Sequence, residues 1–247
     1  MKRHFNKNIF ALLFVTVPAL LWLVANLARP YVIDPKCSHS PNTCTSESVI
    51  PIDQLSLGME DWKADLYSYR AQNFSGILAF AAPTLWNGFS YALGYLNAPA
   101  ALVSLGADLL VIAQTIAWNG FFTEASHLVS QRPRPFVYSD PEVRGIDPAH
   151  YTSFYSGHTS FTAATLFAVF LILRRKKAPK WTLLLSAATF EGFVIATAYF
   201  RILAGRHFLT DVLCGALAGT LIAWSVGALN GYFNQNFRIF NNPKHYP

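Results

Sequence analysis

The sequence predicts an all-α, polytopic membrane protein folded as a bundle of six transmembrane helices. Of its 247 residues, 53% are hydrophobic and only 13% are charged, whereas soluble domains carry about 25% charged residues. The hydrophobic residues also gather in stretches of about 20, the length at which a helix spans a bilayer. The predicted spans are Ile9–Ala28, Phe74–Leu96, Pro99–Phe122, Thr159–Leu173, Trp181–Phe200 and Phe208–Leu229.

Three of these spans have features that set their role. The first follows a basic stretch, as a signal peptide does, but its apolar core is too long and no small-residue cleavage pattern follows, so we expect a retained anchor. The third contains Asp108, which favours a position inside the bundle; the acid either pairs there or reaches a headgroup. The fourth is short, and Arg174 at its end can extend towards the interface.

Lysine and arginine placement predicts the orientation, because basic residues concentrate on the cytoplasmic side. An even number of spans puts both termini on one side, and most basic residues fall there. We therefore expect cytoplasmic termini and read the net charge of +6 as a topology signal. No nucleic-acid motif accompanies it. The basic residues on that side are Lys2, Arg3, Lys7, Arg174, Arg175, Lys176, Lys177, Lys180, Arg238 and Lys244.

The segment Arg29–Asn73 is the one sizeable extracytoplasmic region that we predict in a single membrane domain covering residues 1–247. Cys37 and Cys44 lie within it, and we favour a disulfide over two free thiols because the compartment is oxidising. Its second half, Gly58–Arg70, has apolar residues at three- and four-residue steps and predicts an interfacial amphipathic helix. That helix either covers a site or is a passive surface element.

Three polar segments, His127–Pro135, Tyr155–His158 and Arg201–Asp211, interrupt the apolar sequence. The predicted topology brings all three to the same outer surface. They contain histidines, guanidinium groups and one carboxylate, which are the groups needed to bind a phosphate and attack it. We therefore predict an active site on the outer face.

The spacing within these segments favours particular roles, although each also fits a structural one. His207 and Asp211 are four residues apart, so on a helix the carboxylate can hold one imidazole nitrogen and leave the other free to attack. Ser156 and Gly157 precede a helix, where free amides bind anions, or else Ser156 is a simple cap. His158 can protonate a leaving alkoxide.

The first segment adds guanidinium groups in a stiff frame. Arg132 and Arg134 alternate with prolines, whose fixed φ limits how far the side chains can wander. Arginine suits phosphate oxygens, and it also suits lipid headgroups at a membrane rim. Because the positive-inside rule disfavours bases on this side, their presence favours a phosphate site.

These segments resemble the phosphatidic acid phosphatase type 2 superfamily over about residues 74–229. That family shows Lys-x6-Arg-Pro, then Pro-Ser-Gly-His, then Ser-Arg-x5-His-x3-Asp. The order and the internal spacing agree with those of this chain. The matching segments here are His127-x6-Arg134-Pro135, Tyr155-Ser156-Gly157-His158 and Phe200-Arg201-x5-His207-x3-Asp211.

The resemblance implies an enzyme that hydrolyses a membrane lipid phosphate at the outer leaflet through a phosphohistidine. In it His207 is the nucleophile, Asp211 orients His207, and His158 is the acid and then the base. The resemblance implies no metal or other cofactor, and the expected partners are a lipid phosphate and the bilayer, with no nucleic acid or obligate protein. The implied phosphate-binding residues are His127, Arg134, Ser156, Gly157 and Arg201.

Three residues depart from the family pattern. Tyr155 stands in place of proline and alters the stiffness of its loop, and Phe200 in place of serine removes a possible hydrogen bond to phosphate. His127 in place of lysine is shorter and carries a full charge only in mild acid. We therefore expect phosphate binding to weaken as the pH rises, unless Arg132 supplies the missing charge or His127 only caps the third helix.

The resemblance leaves several functions open. Lipid A phosphate, phosphatidylglycerol phosphate, phosphatidic acid and undecaprenyl diphosphate are all substrates within the family. A phosphotransferase acting between lipids would use the same site, and a non-catalytic lipid binder would be marked by the three departures. We expect a bacterial inner membrane location with a periplasmic site, and an endoplasmic-reticulum protein with a lumenal site is the alternative.

Overall fold

The structure is a computed structural model that describes residues 7–231, with side chains from residue 9 onward. Within these residues it is helical and contains no strand, which confirms the predicted all-α class. Short 3₁₀ turns lie in the outer connections. The α-helices are α1 Lys7–Val32, α2 Lys36–His39, α3 Pro51–Gln54, α4 Trp62–Ala92, α5 Ala98–Ser130, α6 Pro141–Arg144, α7 Gly157–Arg175, α8 Lys180–Leu203 and α9 Leu209–Leu229.

Five helices of the described chain, α1, α5, α7, α8 and α9, are long and apolar enough to cross a membrane. They contain five of the six predicted spans, and they confirm a polytopic membrane protein. The remaining predicted span, Phe74–Leu96, lies mostly in α4, which is long enough to cross at 31 residues but less apolar. Four residues that support the predicted orientation lie outside the described range: Lys2, Arg3, Arg238 and Lys244.

The predicted amphipathic segment Gly58–Arg70 is helical from Trp62 onward, but it is continuous with the following apolar segment. It forms the first turns of α4, which runs without a break from Trp62 to Ala92. Asp61 caps this start, because its carboxylate accepts hydrogen bonds from the amides of Lys63 (2.8 Å) and Ala64 (3.3 Å). No helix breaker separates the amphipathic turns from the apolar ones. The connection between α1 and α4, which we call the outer connection, is therefore residues 33–61 and is shorter than the predicted segment Arg29–Asn73.

The centre of the bundle is α7, which packs against α4, α5, α8 and α9. Two glycines of α9 permit a very close approach: a Cβ on Gly215 would lie 2.7 Å from the carbonyl oxygen of Ser156, and one on Gly219 would collide with that of Ser160. These contacts hold the beginnings of α7 and α9 together.

The outer faces of the bundle carry large apolar side chains such as Leu184, which is 72% exposed, as expected of a surface in contact with lipid.

Asp108 pairs within the bundle. Its carboxylate lies 2.8 Å from the Nζ atom of Lys176 and accepts a hydrogen bond of 2.8 Å from Asn87. The ammonium group also donates to Ser104 at 2.6 Å. A buried acid with a permanent partner needs no headgroup, which decides between the two roles open from the sequence.

A disulfide between Cys37 and Cys44 closes a small loop within the outer connection, as predicted, with Cα atoms 5.6 Å apart. The amide of Cys37 donates to the hydroxyl of Tyr151 at 2.8 Å, and that hydroxyl donates to the carbonyl of Gly145 at 2.8 Å. Tyr151 is fully buried against the disulfide. This contact matters because the next two residues, Thr152 and Ser153, reach the polar site.

Candidate active site

His207 lies in the loop between α8 and α9 and is 2% exposed. The loop turns at Gly205, whose φ of +63° favours glycine and whose Cα faces the backbone of Met59, where a Cβ would collide. The Nδ1 atom of His207 lies 2.7 Å from the carbonyl oxygen of Ser153. Because a carbonyl only accepts, Nδ1 carries the proton and Nε2 keeps its lone pair.

Asp211 does not hold the His207 imidazole directly, contrary to the expectation from their spacing. Its Oδ2 atom is 3.9 Å from Nδ1, beyond hydrogen-bonding distance. That oxygen instead accepts from the hydroxyl of Ser153 at 2.6 Å and from the amide of Phe208 at 2.9 Å. As the third residue of α9, Asp211 turns back to cap its own helix, so it reaches His207 through Ser153.

Arg132 is held by two carboxylates and is not free to serve as the missing permanent charge. Its Nη1 atom donates to Asp211 at 2.6 Å and its Nη2 atom to Asp53 at 2.7 Å. Asp53 comes from the outer connection, is fully buried, and also accepts from the amide (2.9 Å) and the hydroxyl (2.6 Å) of Thr210. This network fastens the outer connection to the first turn of α9.

Arg201 presents a buried guanidinium group and Arg134 a partly buried one, and each has an unused donor. Nη2 of Arg134 donates to Thr152 at 2.9 Å, and Nη1 of Arg201 donates to Asp65 at 2.7 Å. Among the described residues, the Nε atom of neither arginine finds a hydrogen-bond acceptor. Buried donors are normally satisfied, and a phosphate oxygen is the acceptor that a guanidinium fork fits best.

His158 stands in the first turn of α7, next to the same charges. Its ring meets the edge of the Tyr69 ring at 4.4 Å between centroids, and its Nε2 atom is buried without a hydrogen-bond partner among residues 9–231. The guanidinium groups of Arg201, Arg134 and Arg206 are the charges that act on it. A second imidazole nitrogen is therefore available in the site.

Of the two backbone amides that we predict as phosphate ligands at the start of α7, one is occupied within the protein. The amide of Ser156 donates to the carbonyl of Asp211 at 3.0 Å and is thus occupied, while its hydroxyl caps α7 by accepting from the amide of Thr159 at 3.4 Å. The amide of Gly157 stands in the first turn, where helix geometry provides no acceptor. The cap role of Ser156 that the sequence left open is the one observed.

Burial and the neighbouring charges determine the pKa of His207. Burial disfavours the charged imidazole and holds the pKa of His207 well below its usual value of 6.5. The positive charges of Arg201 and Arg134 and the proximity of His158 lower this pKa further, while the bond to Ser153 opposes them. This direction favours the neutral ring, in which Nε2 keeps its lone pair.

Two of the departures from the family pattern contact each other. Nε2 of His127 lies 3.2 Å from the carbonyl oxygen of Tyr155, and its Nδ1 lies 3.6 Å from Glu124. The amide of Tyr155 donates to Ser126 at 3.2 Å. Hydrogen bonds from α5 thus fix the loop that lacks its proline, and both nitrogens of His127 face protein groups. The third departure, Phe200, packs 5.5 Å from the ring of Tyr67.

Sequence reasoning missed four residues of this site: Asp53, Asp65, Tyr69 and Ser153. Asp65 and Tyr69 lie on the amphipathic segment, four residues apart on one helical face. That pairing of an acid with an aromatic residue is the sequence feature that could have identified them. Asp53 and Ser153 lie in connections where no periodicity marks them. Within the described part of the chain, no group of three or more histidine, cysteine, aspartate and glutamate side chains has the arrangement of a metal site.

Comparison with known proteins gives three results. The family model of the PAP2 superfamily matches residues 108–235, just over half of the chain. Phospholipid phosphatase 2 of Rattus norvegicus is 36% identical over 94 residues, which cover 35% of this chain and 34% of that protein. Phospholipid phosphatase 2 of Homo sapiens is 33% identical over 118 residues, or 44% and 39% respectively. No solved structure matches significantly.

The chain thus spans only about a third of the length of the curated relatives that it matches. The stretch that the family model matches contains all three polar segments, from His127 to Asp211. A family model that covers this share of the sequence, including the buried imidazoles and guanidinium groups, shows that the chain belongs to the PAP2 superfamily.

Proposed function

We propose that this protein is a lipid phosphate phosphatase of the membrane, with His207 as its nucleophile. The observation that carries the proposal is a neutral, buried imidazole whose Nδ1 is committed to Ser153, so that Nε2 keeps its lone pair. Around it lie unsatisfied donors of Arg134 and Arg201 and the unpaired Nε2 of His158. A bound phosphate would satisfy these groups together.

The reaction that this arrangement supports has two steps. In the first, Nε2 of His207 forms a bond to phosphorus, the bond from phosphorus to the lipid oxygen breaks, and His158, which must enter the step as imidazolium, gives that oxygen a proton. Burial and the charges of the neighbouring arginines oppose that protonation in the protein alone, and the negative charge of a bound phosphate favours it. In the second, His158 takes a proton from water, the water oxygen bonds to phosphorus, and the phosphorus–nitrogen bond to His207 breaks. The products are the dephosphorylated lipid and inorganic phosphate.

Charge stabilisation in this proposal comes from the protein itself. Arg134 and Arg201 hold the equatorial oxygens, where charge accumulates in phosphoryl transfer. The amide of Gly157 and the positive end of α7 add to this field. With two guanidinium groups and a helix terminus at the phosphate, we propose that the reaction needs no metal ion.

The lipid part of the substrate has apolar surfaces available beside the polar groups. A groove of about 470 Å³ between α4 and α8 is bounded by Phe193 and Phe200, next to Arg201. A second of about 540 Å³ between α5 and α9 includes Leu221 and reaches Tyr155, next to Ser156. Both are lined mainly by apolar side chains, so a phosphate in the site leaves room for tails in the bilayer.

We further propose that the site faces the outer leaflet of a bacterial inner membrane, with both termini in the cytoplasm. The disulfide supports this side, because oxidising compartments lie outside the cytoplasm. The ammonium of Lys176 and the neighbouring Arg174 and Arg175 lie at the other end of α7, as the positive-inside rule requires of a cytoplasmic end.

The test is phosphate release from a panel of lipid phosphates by the purified protein in detergent. Wild type is expected to release phosphate from at least one lipid, and His207→Gln to lose at least about a thousandfold in rate. His39→Gln, at an exposed histidine of the outer connection, is the matched control and should retain full activity. Lipid binding without release from any substrate would contradict the proposal, and phosphorylated acceptor lipid without free phosphate would identify a transferase instead.

A further inference from the structure

One guanidinium group of the polar site has no role in the reaction described so far. Arg206 directly precedes His207, and its Nη2 atom donates to Asp65 at 2.9 Å. Its guanidinium lies 5.2 Å from the centre of the Phe136 ring, which covers one face. These are the only side-chain partners that the structure records for it among the described residues, so Nε and Nη1 remain available.

Asp65 places Arg206 beside the phosphate-binding Arg201. Its Oδ1 atom accepts from Arg201 at 2.7 Å and its Oδ2 atom accepts from Arg206 at 2.9 Å. The two guanidinium groups therefore share one carboxylate and lie side by side. They differ in depth, because the side chain of Arg201 is 2% exposed and that of Arg206 is 36% exposed. Arg206 is thus the guanidinium at the mouth of the site.

The exposure of Arg206 also sets which part of the substrate it can meet. The phosphate that reacts lies at His207, which is 2% exposed, whereas the side chain of Arg206 is 36% exposed. The part of the substrate beyond the scissile bond extends from the buried groups towards the mouth, where Arg206 stands.

We propose that Arg206 binds a second phosphate next to the scissile one, so that the site prefers a lipid diphosphate to the corresponding monophosphate. This inference rests on the phosphatase function proposed above. The terminal phosphate binds to Arg134 and Arg201, and the inner phosphate accepts hydrogen bonds from Nε and Nη1 of Arg206 at the mouth. His207 bonds to the terminal phosphorus, the bond to the bridging oxygen breaks, and the lipid monophosphate leaves with that oxygen.

Farnesyl diphosphate and farnesyl phosphate form a suitable pair of probes, because they differ only in the second phosphate. We expect initial rates of wild type to show a kcat/KM at least about tenfold higher for the diphosphate, because the charge-assisted hydrogen bond to Arg206 adds to the advantage of the better leaving group. Arg206→Gln should lower kcat/KM for the diphosphate about tenfold, mainly through KM. It should change the value for the monophosphate less than about twofold.

The matched control is Arg144→Gln. Arg144 is another guanidinium on the outer surface, 37% exposed and paired with Glu60, and its loss should leave both substrates unchanged. Retained turnover of the monophosphate by Arg206→Gln shows that its fold is intact. An equal loss of kcat/KM on both substrates, or no loss on either, overturns the role of Arg206. Failure of wild type to release phosphate from any lipid in the panel refutes the phosphatase function itself, which is a separate outcome.

Discussion

The Nδ1 atom of His207 lies 2.7 Å from the carbonyl oxygen of Ser153, while the carboxylate expected to hold it, that of Asp211, lies 3.9 Å away. Ser153 connects the two, because its hydroxyl donates to Asp211 at 2.6 Å. One buried serine thus sets the tautomer of His207, our proposed nucleophile, through its backbone carbonyl and is itself held by Asp211 through its side chain.

Ser153→Ala should lower kcat about tenfold and leave KM nearly unchanged. The substitution keeps the carbonyl that fixes His207 and removes only the hydrogen bond that anchors it to Asp211, a loss typical of a supporting contact behind a reacting side chain. Steady-state kinetics on the best lipid substrate measures it. Ser75→Ala, at a fully buried serine within α4, is the control, and equal losses in the two variants would show a general packing effect.

Asp65→Asn should raise KM about tenfold, because Arg201 and Arg206 lose the charged partner that aligns them. The matched control is Asp61→Asn at the cap of α4, where asparagine serves as well as aspartate. Its KM should equal that of wild type. A larger effect on kcat than on KM in Asp65→Asn would show that the carboxylate supports the chemistry rather than phosphate binding.

His127→Lys should leave the alkaline limb of the pH–rate profile unchanged. The sequence alone led us to expect weaker phosphate binding at higher pH, on the view that His127 contacts phosphate. In the structure its nitrogens face Tyr155 and Glu124 instead. Profiles of kcat/KM for the two proteins from pH 6 to about 9, a range chosen to bracket ordinary histidine titration, decide the matter. An alkaline limb displaced towards higher pH in the variant would show that residue 127 contacts the phosphate after all.

The fold should lose stability as the pH falls below about 6.5, the ordinary value for histidine. The pKa of His207 is held well below that value by burial and by Arg201 and Arg134. The unfolded chain therefore binds a proton that the native state does not, so this stabilisation is complete above about pH 6.5 and declines in acid.

The expected contribution is a loss of up to about 2 kcal/mol at pH 5. Thermal unfolding in detergent at several pH values measures it, with His207→Gln for comparison because glutamine cannot take up the proton. The variant should show a shallower decline than wild type between pH 7 and pH 5. Parallel curves for the two proteins would assign the acid sensitivity to other groups.

Much of the architecture was predictable because it depends on local composition. Apolar stretches of bilayer length mark five of the six predicted spans as candidate membrane helices. The cysteine pair was predictable for a similar reason, since Cys37 and Cys44 are close in sequence and share one connection. By contrast, the single helix Trp62–Ala92 was missed, because a change from amphipathic to apolar composition looks like a boundary although no residue there breaks a helix.

The sequence by itself singled out the groups to which we assign the chemistry: the spacing of His207, His158, Arg134 and Arg201, together with the family pattern that it resembles, marks them without any knowledge of their neighbours. The tertiary structure alone decided how those groups are held. Ser153 replaces Asp211 as the direct partner of His207, and Asp53 and Asp65 bring their charges from segments more than 130 residues away from the groups they meet near α9. Reactive groups recur at spacings set by one helix or turn, whereas their supporting contacts depend on how distant segments pack.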